Sequence, residues 1–321
     1  MAGTFTHIAL VYSLCREAHA LESIEHLTIP MKRALQRCLK YCELGAVSPD
    51  YPYLTLLDSN ASGWANVMHY WNTADFIRKA VPLIWDMNYA TINAWRCLAW
   101  IFGYAAHVVT DLTVHPVVNL KVGPYAEHQT DHRVCEMNQD VYIMHKNNLG
   151  DVTTAEYIRD CGIASCSDPD NPKKFDPVIA GIWNNILDDI PIDTVQFDEG
   201  VVKPQARHDF DRWHRNFVLV VDKVAEEGGS LPPFSRHFAE KKGLVYPDYE
   251  NLDRGFIDNL TSPEGGPIHF DEVFGRTQEN VRQAWSELAL ALDRNEPELF
   301  TLANGNLDTG MSGSHSIFWR V

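Results

Sequence analysis

Positive charge is what this chain has least of: 27 Lys and Arg stand against 43 Asp and Glu, a formal net charge of −16 with histidine neutral. A surface that binds a long nucleic acid needs Lys and Arg to displace counterions from phosphates, so long nucleic acid is a disfavoured partner, although bound cations would reverse the sign locally. Ordered cysteine spacing is missing as well. Cys15, Cys38, Cys42, Cys97, Cys135, Cys161 and Cys166 form an odd set without CxxC, which reads as reduced thiols, with a Cys161–Cys166 bridge as the alternative. The N-terminal MAGTFTHIALVYSLCREAH has no basic segment ahead of its apolar stretch and no small-residue cleavage site. No signal peptide is expected, and the cytoplasm is the default location unless a signal-independent route exports the chain. Long apolar runs are absent too: Cys97 to Thr110 lies between Arg96 and Asp111 and contains His107. That falls short of the roughly 20 apolar residues of a transmembrane segment and predicts a buried helix.

Alternating strand patterns are scarce, and the β-branched pairs Val108-Val109 and Val117-Val118 sit in helical stretches or beside Pro116. No 20–50-residue period repeats. What the chain does have is core-forming material: 45% of its residues are hydrophobic, 11% are aromatic and nine are tryptophan, which excludes wholesale disorder. Apolar residues recur at helical spacing from Met31 to Leu44, with Gly45 where a C-terminal cap belongs, and again along Trp213, Phe217, Val221, Val224 and along Val281, Trp285, Leu288, Leu292. The fold class is therefore all-α. Turn-rich stretches fall at Ser167–Lys174, Gly228–Pro233 and Thr261–Pro267. The first marks the expected division between a helical core, 1–166, that carries the chemistry, and a mainly helical extension, 167–321, packed on it as one globular unit.

The chemistry lies in histidines and carboxylates. On a helix, residues four apart sit one above the other, so His107 and Asp111 in GYAAHVVTD can aim an imidazole and a carboxylate at one point, a metal-chelating geometry. His115 precedes Pro116, which biases it out of the α region and predicts the end of the helix there. In AEHQTDHRVCEMNQD, His128, His132, Glu136 and Asp140 advance by fours along one face while Val134, Met137, Val141 and Met144 take the other. A single pair of this kind is usually a solvated face. Two pairs 20 residues apart, the first inside a very apolar helix, point to metal, because burying His107 and Asp111 without partners is expensive. Asp50 sits in the turn GAVSPD, and His69 lies beside aromatics on the next helix. His19 and His26 fall in an expected helix, and His208 and His214 flank Trp213; these read as surface or packing polarity. Nothing in the spacing of His269 or of the tail GMSGSHSIFW establishes a place for them at the cleft mouth.

The ordered set GAVSPD, MHYW, GYAAHVVTDLTVHP and HRVCE resembles the zinc-dependent phospholipase C family, whose all-helical fold is shared with zinc-dependent single-strand nucleases. The resemblance covers roughly residues 1–145. It implies one zinc on Asp50, His69, His107 and Asp111, and a second on His115, His132 and Glu136. Asp111 would also bridge toward a third, to which His7 would contribute. Asp111 and His115 are separated by three residues where the family has five, so His128 is a substitute candidate for the second zinc. The family's N-terminal tryptophan ligand has no counterpart in MAGTFTH, which leaves the third site incomplete. The resemblance further implies a phosphoric-ester hydrolase that activates water for in-line attack on phosphorus, with Asp50 as general base. Tyr51, Tyr53, Trp64, Tyr70 and Trp71 suit a phospholipid headgroup and equally a stacked nucleobase, while ordinary helix packing accounts for any one of them as well. Two rivals stand beside this: a nuclease or nucleotide phosphohydrolase on the same fold, and a metal-stabilised interaction protein without catalysis.

Overall fold

A 31-residue helix, Ile92–Val122, organises the molecule. In the computed structural model, every residue on it from Cys97 to Val118 is buried, as expected of a helix that is apolar all round. The structure describes residues 3–17, 19–55, 58–151, 157, 161–192, 201–227 and 245–320. In chain order the helices are α1 (Thr4–Arg16), α2 (Ile29–Arg37), α3 (Leu39–Val47), α4 (Ser59–Tyr70), α5 (Thr73–Trp85), α6 (Ile92–Val122), α7 (Tyr125–Lys146), α8 (Pro177–Asp188), α9 (Phe210–Glu227) and α10 (Phe270–Arg294). Strand among the described residues amounts to three two-stranded antiparallel hairpins: β1–β2 within 167–175, β3–β4 within 260–268 and β5–β6 within 311–316. The fold is all-α.

By length and hydropathy α6 passes the test for a membrane span, which the shorter run read from the sequence did not. Its apolar window is wholly buried by neighbouring helices, and it serves as the core helix. α1, α2, α3, α5, α7, α8 and α10 all pack on it. Indole donors fix several of its neighbours: Trp285 Nε1 donates to the Phe102 carbonyl (2.8 Å), Trp100 Nε1 to Ser48 Oγ (2.9 Å) and Trp319 Nε1 to the Thr113 carbonyl (2.9 Å). The extension beyond 166 lies on the same helix. Asp176, which caps the N-terminus of α8, also accepts from Tyr41 on α3 and Arg96 on α6.

Four local expectations are corrected. The helix expected over 31–44 is two, because Cys38 leaves helical geometry at φ −115°, ψ 33°. Gly45 does not cap it but sits within α3, where a Cβ would fall 2.0 Å from the Trp100 carbonyl; Gly103 on α6 makes the reciprocal approach. The two glycines let the backbones of α3 and α6 meet. α6 does not end at His115 but runs on through Pro116, whose ring and the facing Leu112 carbonyl are covered by Gly310 at φ +69°. Surrounding packing thus overrides the proline's missing donor. His19 and His26 are not helical but adopt φ +63° and +62° on either side of a short 3-10 turn, Leu21–Ser23. The Gly228–Pro233 stretch lies outside the described residues. None of the seven cysteines forms a disulfide, so the Cys161–Cys166 bridge is not made.

Candidate metal centre

Buried polar side chains from α1, α4, α6 and the 3-10 turn Ser48–Leu54 converge beside the middle of α6. Asp111 is their hub. Its Oδ2 lies 3.2 Å from His107 Nε2 and 4.0 Å from His69 Nε2, and its Oδ1 lies 3.3 Å from His7 Nε2 and 3.5 Å from His115 Nε2. Asp50 Oδ1 lies 3.1 Å from His69 Nε2 and 4.0 Å from His107 Nε2. Among the described residues two groups have the spacing to hold a metal ion: His7 with His107 and Asp111, and Asp50 with His69 and His107. His115 stays on the helix, one turn beyond Asp111, and so reaches the carboxylate from the same face.

The orientations of four of the imidazoles are fixed by backbone carbonyls. His107 Nδ1 meets the Ala46 carbonyl at 2.8 Å, His69 Nδ1 that of Ala65 at 2.8 Å, His115 Nδ1 that of Leu307 at 2.5 Å, and His132 Nε2 that of Gly123 at 2.7 Å. A carbonyl only accepts, so each of these ring nitrogens carries the proton and donates. In the neutral ring the opposite nitrogen is then a bare lone pair, and it faces a carboxylate. The Nε2 atoms of His7, His107 and His115 and the Nδ1 of His132 are buried and have no hydrogen-bond partner among the described residues. Acceptor facing acceptor at 3.2–3.6 Å is unfavourable unless a cation lies between them. Protonating every imidazole would crowd positive charge into a buried site; burial already pushes His115 below the usual histidine range. Imidazole nitrogen and carboxylate oxygen without thiolate is a donor set that suits zinc.

The carboxylates are held ionised. Burial alone would raise Asp50 and Asp111; positive charge at the facing ring nitrogens, those of His107 and His69 for Asp50 and of His115, His107 and His7 for Asp111, outweighs it and lowers both carboxyls, and a cation between ring and carboxylate acts in the same sense. His132 Nδ1 and Glu136 Oε1 approach to 3.6 Å on α7, one turn apart as the spacing predicts. His7 is buried on α1, its ring stacked on that of His107 with centroids 4.2 Å apart. His128 does not join these groups. α7 is kinked at His128 (φ −127°, ψ 33°), and its partly exposed ring lies 3.3 Å from Asp131. The last residue of the four-spaced series, Asp140, serves a different purpose. It accepts from the Thr6 and Phe5 amides and the Thr6 and Tyr246 hydroxyls, tying α7 to the start of α1.

Burial pushes the Asp140 carboxyl up to about 7 despite those donors. The folded chain therefore keeps the Asp140 proton where an unfolded chain, ordinary at 3.8, has released it. This contribution to stability is present below the lower value and lost as pH rises toward the upper one. The expected result is that the urea midpoint of wild type falls relative to Asp140→Asn, which has no proton to lose, as pH climbs through that window. A difference independent of pH would contradict it.

A cleft of about 230 Å3 opens onto the cluster, lined by Asp50, Tyr53, Tyr125, Gln129, Arg133 and Glu136 among others. Of the aromatics read from the sequence, Tyr53 lines this cleft, with its ring 5.2 Å from that of His69. Tyr51 stacks on Phe217 and His214, and Trp64 donates to the Ala206 carbonyl; both are packing residues. His269 caps α10. Tyr125, Arg133 and the four backbone carbonyls were not singled out from the sequence. Tyr125 and Arg133 share a helix with the His132–Glu136 pair, which is the one signal that could have found them; the carbonyls carry none.

A family model described as zinc dependent phospholipase C matches residues 6–191, more than half of the chain. No curated protein and no solved structure matches it.

Proposed function

This chain belongs to the zinc-dependent phospholipase C family, a family of hydrolases, and from that premise we propose that it cleaves a phosphate ester, with phospholipid as the substrate class. The observation that carries the reading is the set of bare, buried imidazole nitrogens turned toward Asp111 and Glu136 while their opposite nitrogens donate to carbonyls. Asp50, His69, His107 and Asp111 would hold one zinc, and His115, His132 and Glu136 a second. His7 would serve a further ion on the other oxygen of Asp111. Zinc bound there supplies positive charge to the phosphoryl oxygens and lowers the pKa of an attacking water.

The chain's own residues do the rest. Asp50 lines the open cleft and is held as a carboxylate, so it can take the proton of the water that attacks phosphorus. Tyr53 and Tyr125 offer an aromatic wall, and Gln129 and Arg133 stand at the rim, where an amide and a guanidinium can meet headgroup oxygens. The net charge of −16 favours a lipid or small ester over long nucleic acid.

Asp50→Asn, whose amide oxygen can still face zinc but which cannot take a proton, is expected to lose activity by about 10²–10⁴-fold when assayed at saturating zinc, the usual contribution of a positioned base. Elemental analysis beside turnover on phospholipid vesicles, single-stranded DNA and nucleotides would check both points. Full activity with full zinc would remove Asp50 from the mechanism. Preference for the DNA or nucleotides would move the substrate assignment to the nuclease-type rival.

A further inference from the structure

Three of the four carbonyls that orient the imidazoles lie close by in the same or a neighbouring helix or in the turn before α7. The fourth does not: His115 donates to Leu307, 192 residues further along the chain and beyond the part that matches the family. We propose that residues 304–319 form a strap that belongs to the zinc centre, with the Leu307 backbone as the positioning group that presents His115 as a ligand and ties it to His69. The proposal rests on the zinc reading above.

Leu307 makes both connections from one buried peptide segment. Its N–H donates to the carbonyl of His69 at 3.0 Å, and its carbonyl accepts from His115 Nδ1 at 2.5 Å. Between those two bonds, the backbone of the α4 ligand and the ring of the α6 ligand are held at a set separation. The bond also decides the chemistry of the ring: with the proton on Nδ1, the Nε2 lone pair is left facing Asp111 at 3.5 Å. Without it either tautomer is open to His115, and the ring is free to turn its bare nitrogen away.

The rest of the strap holds Leu307 in place. Upstream, Asn304 Oδ1 accepts from the Ala74 and Asp75 amides at the start of α5, and the Gly305 amide bonds to Thr73 Oγ1 at 3.1 Å. Immediately downstream, Asp308 accepts from the Tyr70 hydroxyl at 2.6 Å through its side chain and from Asn119 Nδ2 at 2.6 Å through its carbonyl. Gly310 then passes so close to α6 that a Cβ would fall 2.4 Å from Pro116 Cγ and 2.6 Å from the Leu112 carbonyl. The end is locked by Trp319, which donates to the Thr113 carbonyl and lies under the Arg276 guanidinium, 4.0 Å from its ring. These anchors reach α4, α5, α6 and α10, so moving the strap changes the ligand frame without touching a ligand.

The test uses full-length protein with Gly310→Ala, which lifts the strap off α6, and Asp308→Ala, which releases the Tyr70 anchor and leaves the backbone free to fold. Zinc affinity is read by chelator competition and ligand geometry by the visible spectrum of the cobalt(II)-loaded protein. Both variants are expected to hold one ion about 10–100-fold more weakly, the range for groups that orient ligands, and to shift the cobalt spectrum. Their helix content should match wild type. If Gly310→Ala does not fold, Asp308→Ala decides alone. Wild-type affinity together with an unchanged spectrum would overturn the proposal. Wild-type protein that takes up no zinc would sink the metal reading itself, and the strap proposal with it.

Discussion

Replacing Asp111 with alanine is expected to give a folded chain that loses the zinc held on Asp111 and hydrolyses phosphate esters no faster than buffer. Four imidazoles lie within 4.0 Å of this one carboxylate, on both of its oxygens, and one of the two groups with metal-holding spacing includes it; the other lies against it through His69 and His107. Losing one histidine removes one donor. Losing Asp111 removes the negative charge that His7, His69, His107 and His115 share and leaves Asp50 as the one carboxylate beside His69 and His107, too little to balance a divalent cation in a buried site. The fold should survive, because His69, His107 and His115 keep the carbonyl bonds that hold their rings to the surrounding backbone. Calorimetry separates the two claims. A ligand at 1,000 times its dissociation constant stabilises a protein by about 4 kcal/mol, so wild type should melt at a higher temperature with zinc than with chelator. Asp111→Ala should show a smaller rise with zinc than wild type does, and with chelator it should melt close to the chelated wild type. A zinc-dependent rise as large as that of wild type would mean that Asp111 holds no zinc. His128→Ala is the control: with its ring partly exposed against Asp131, it should behave as wild type.

The division between what the sequence discloses and what it hides follows the range of the interactions. His107 with Asp111 and His132 with Glu136 are legible because a helix brings residues four apart together whatever surrounds it, and the structure keeps both pairs in contact. Asp50 and His69 come through by resemblance of motif order, and the fold sets them 3.1 Å apart. What was misread depended on distant chain. Pro116 looks like a helix end until Gly310 covers it, and Gly45 looks like a cap until Gly103 is laid against it. His128 has the right period but loses its place to a backbone kink that no side-chain pattern signals. The strap is the extreme case, since its chemistry is a peptide carbonyl and any residue at 307 carries one.

The second large effect concerns that hidden glycine pair. Gly103→Ala is expected to destabilise the protein by about 3 kcal/mol or more, the upper range for overpacking, because the new methyl meets backbone and not a movable side chain. Its Cβ would lie 1.9 Å from the Cys42 carbonyl oxygen and 2.9 Å from the Ala46 nitrogen, so relief requires α3 to back away from α6. That movement carries the Ala46 carbonyl with it, and this carbonyl fixes the His107 ring. The variant should therefore lose zinc affinity as well as stability, although no ligand is altered. Gly275→Ala separates this from a general intolerance of glycine replacement. Gly275 lies inside α10 with no neighbour within 4 Å of an added Cβ, so alanine there should raise stability by about 0.5–1 kcal/mol by reducing the freedom of the unfolded chain. Urea unfolding of both variants, with and without zinc, gives the comparison. If Gly103→Ala were as stable as wild type and bound zinc as tightly, the close crossing of α3 and α6 would not be what holds His107 in place.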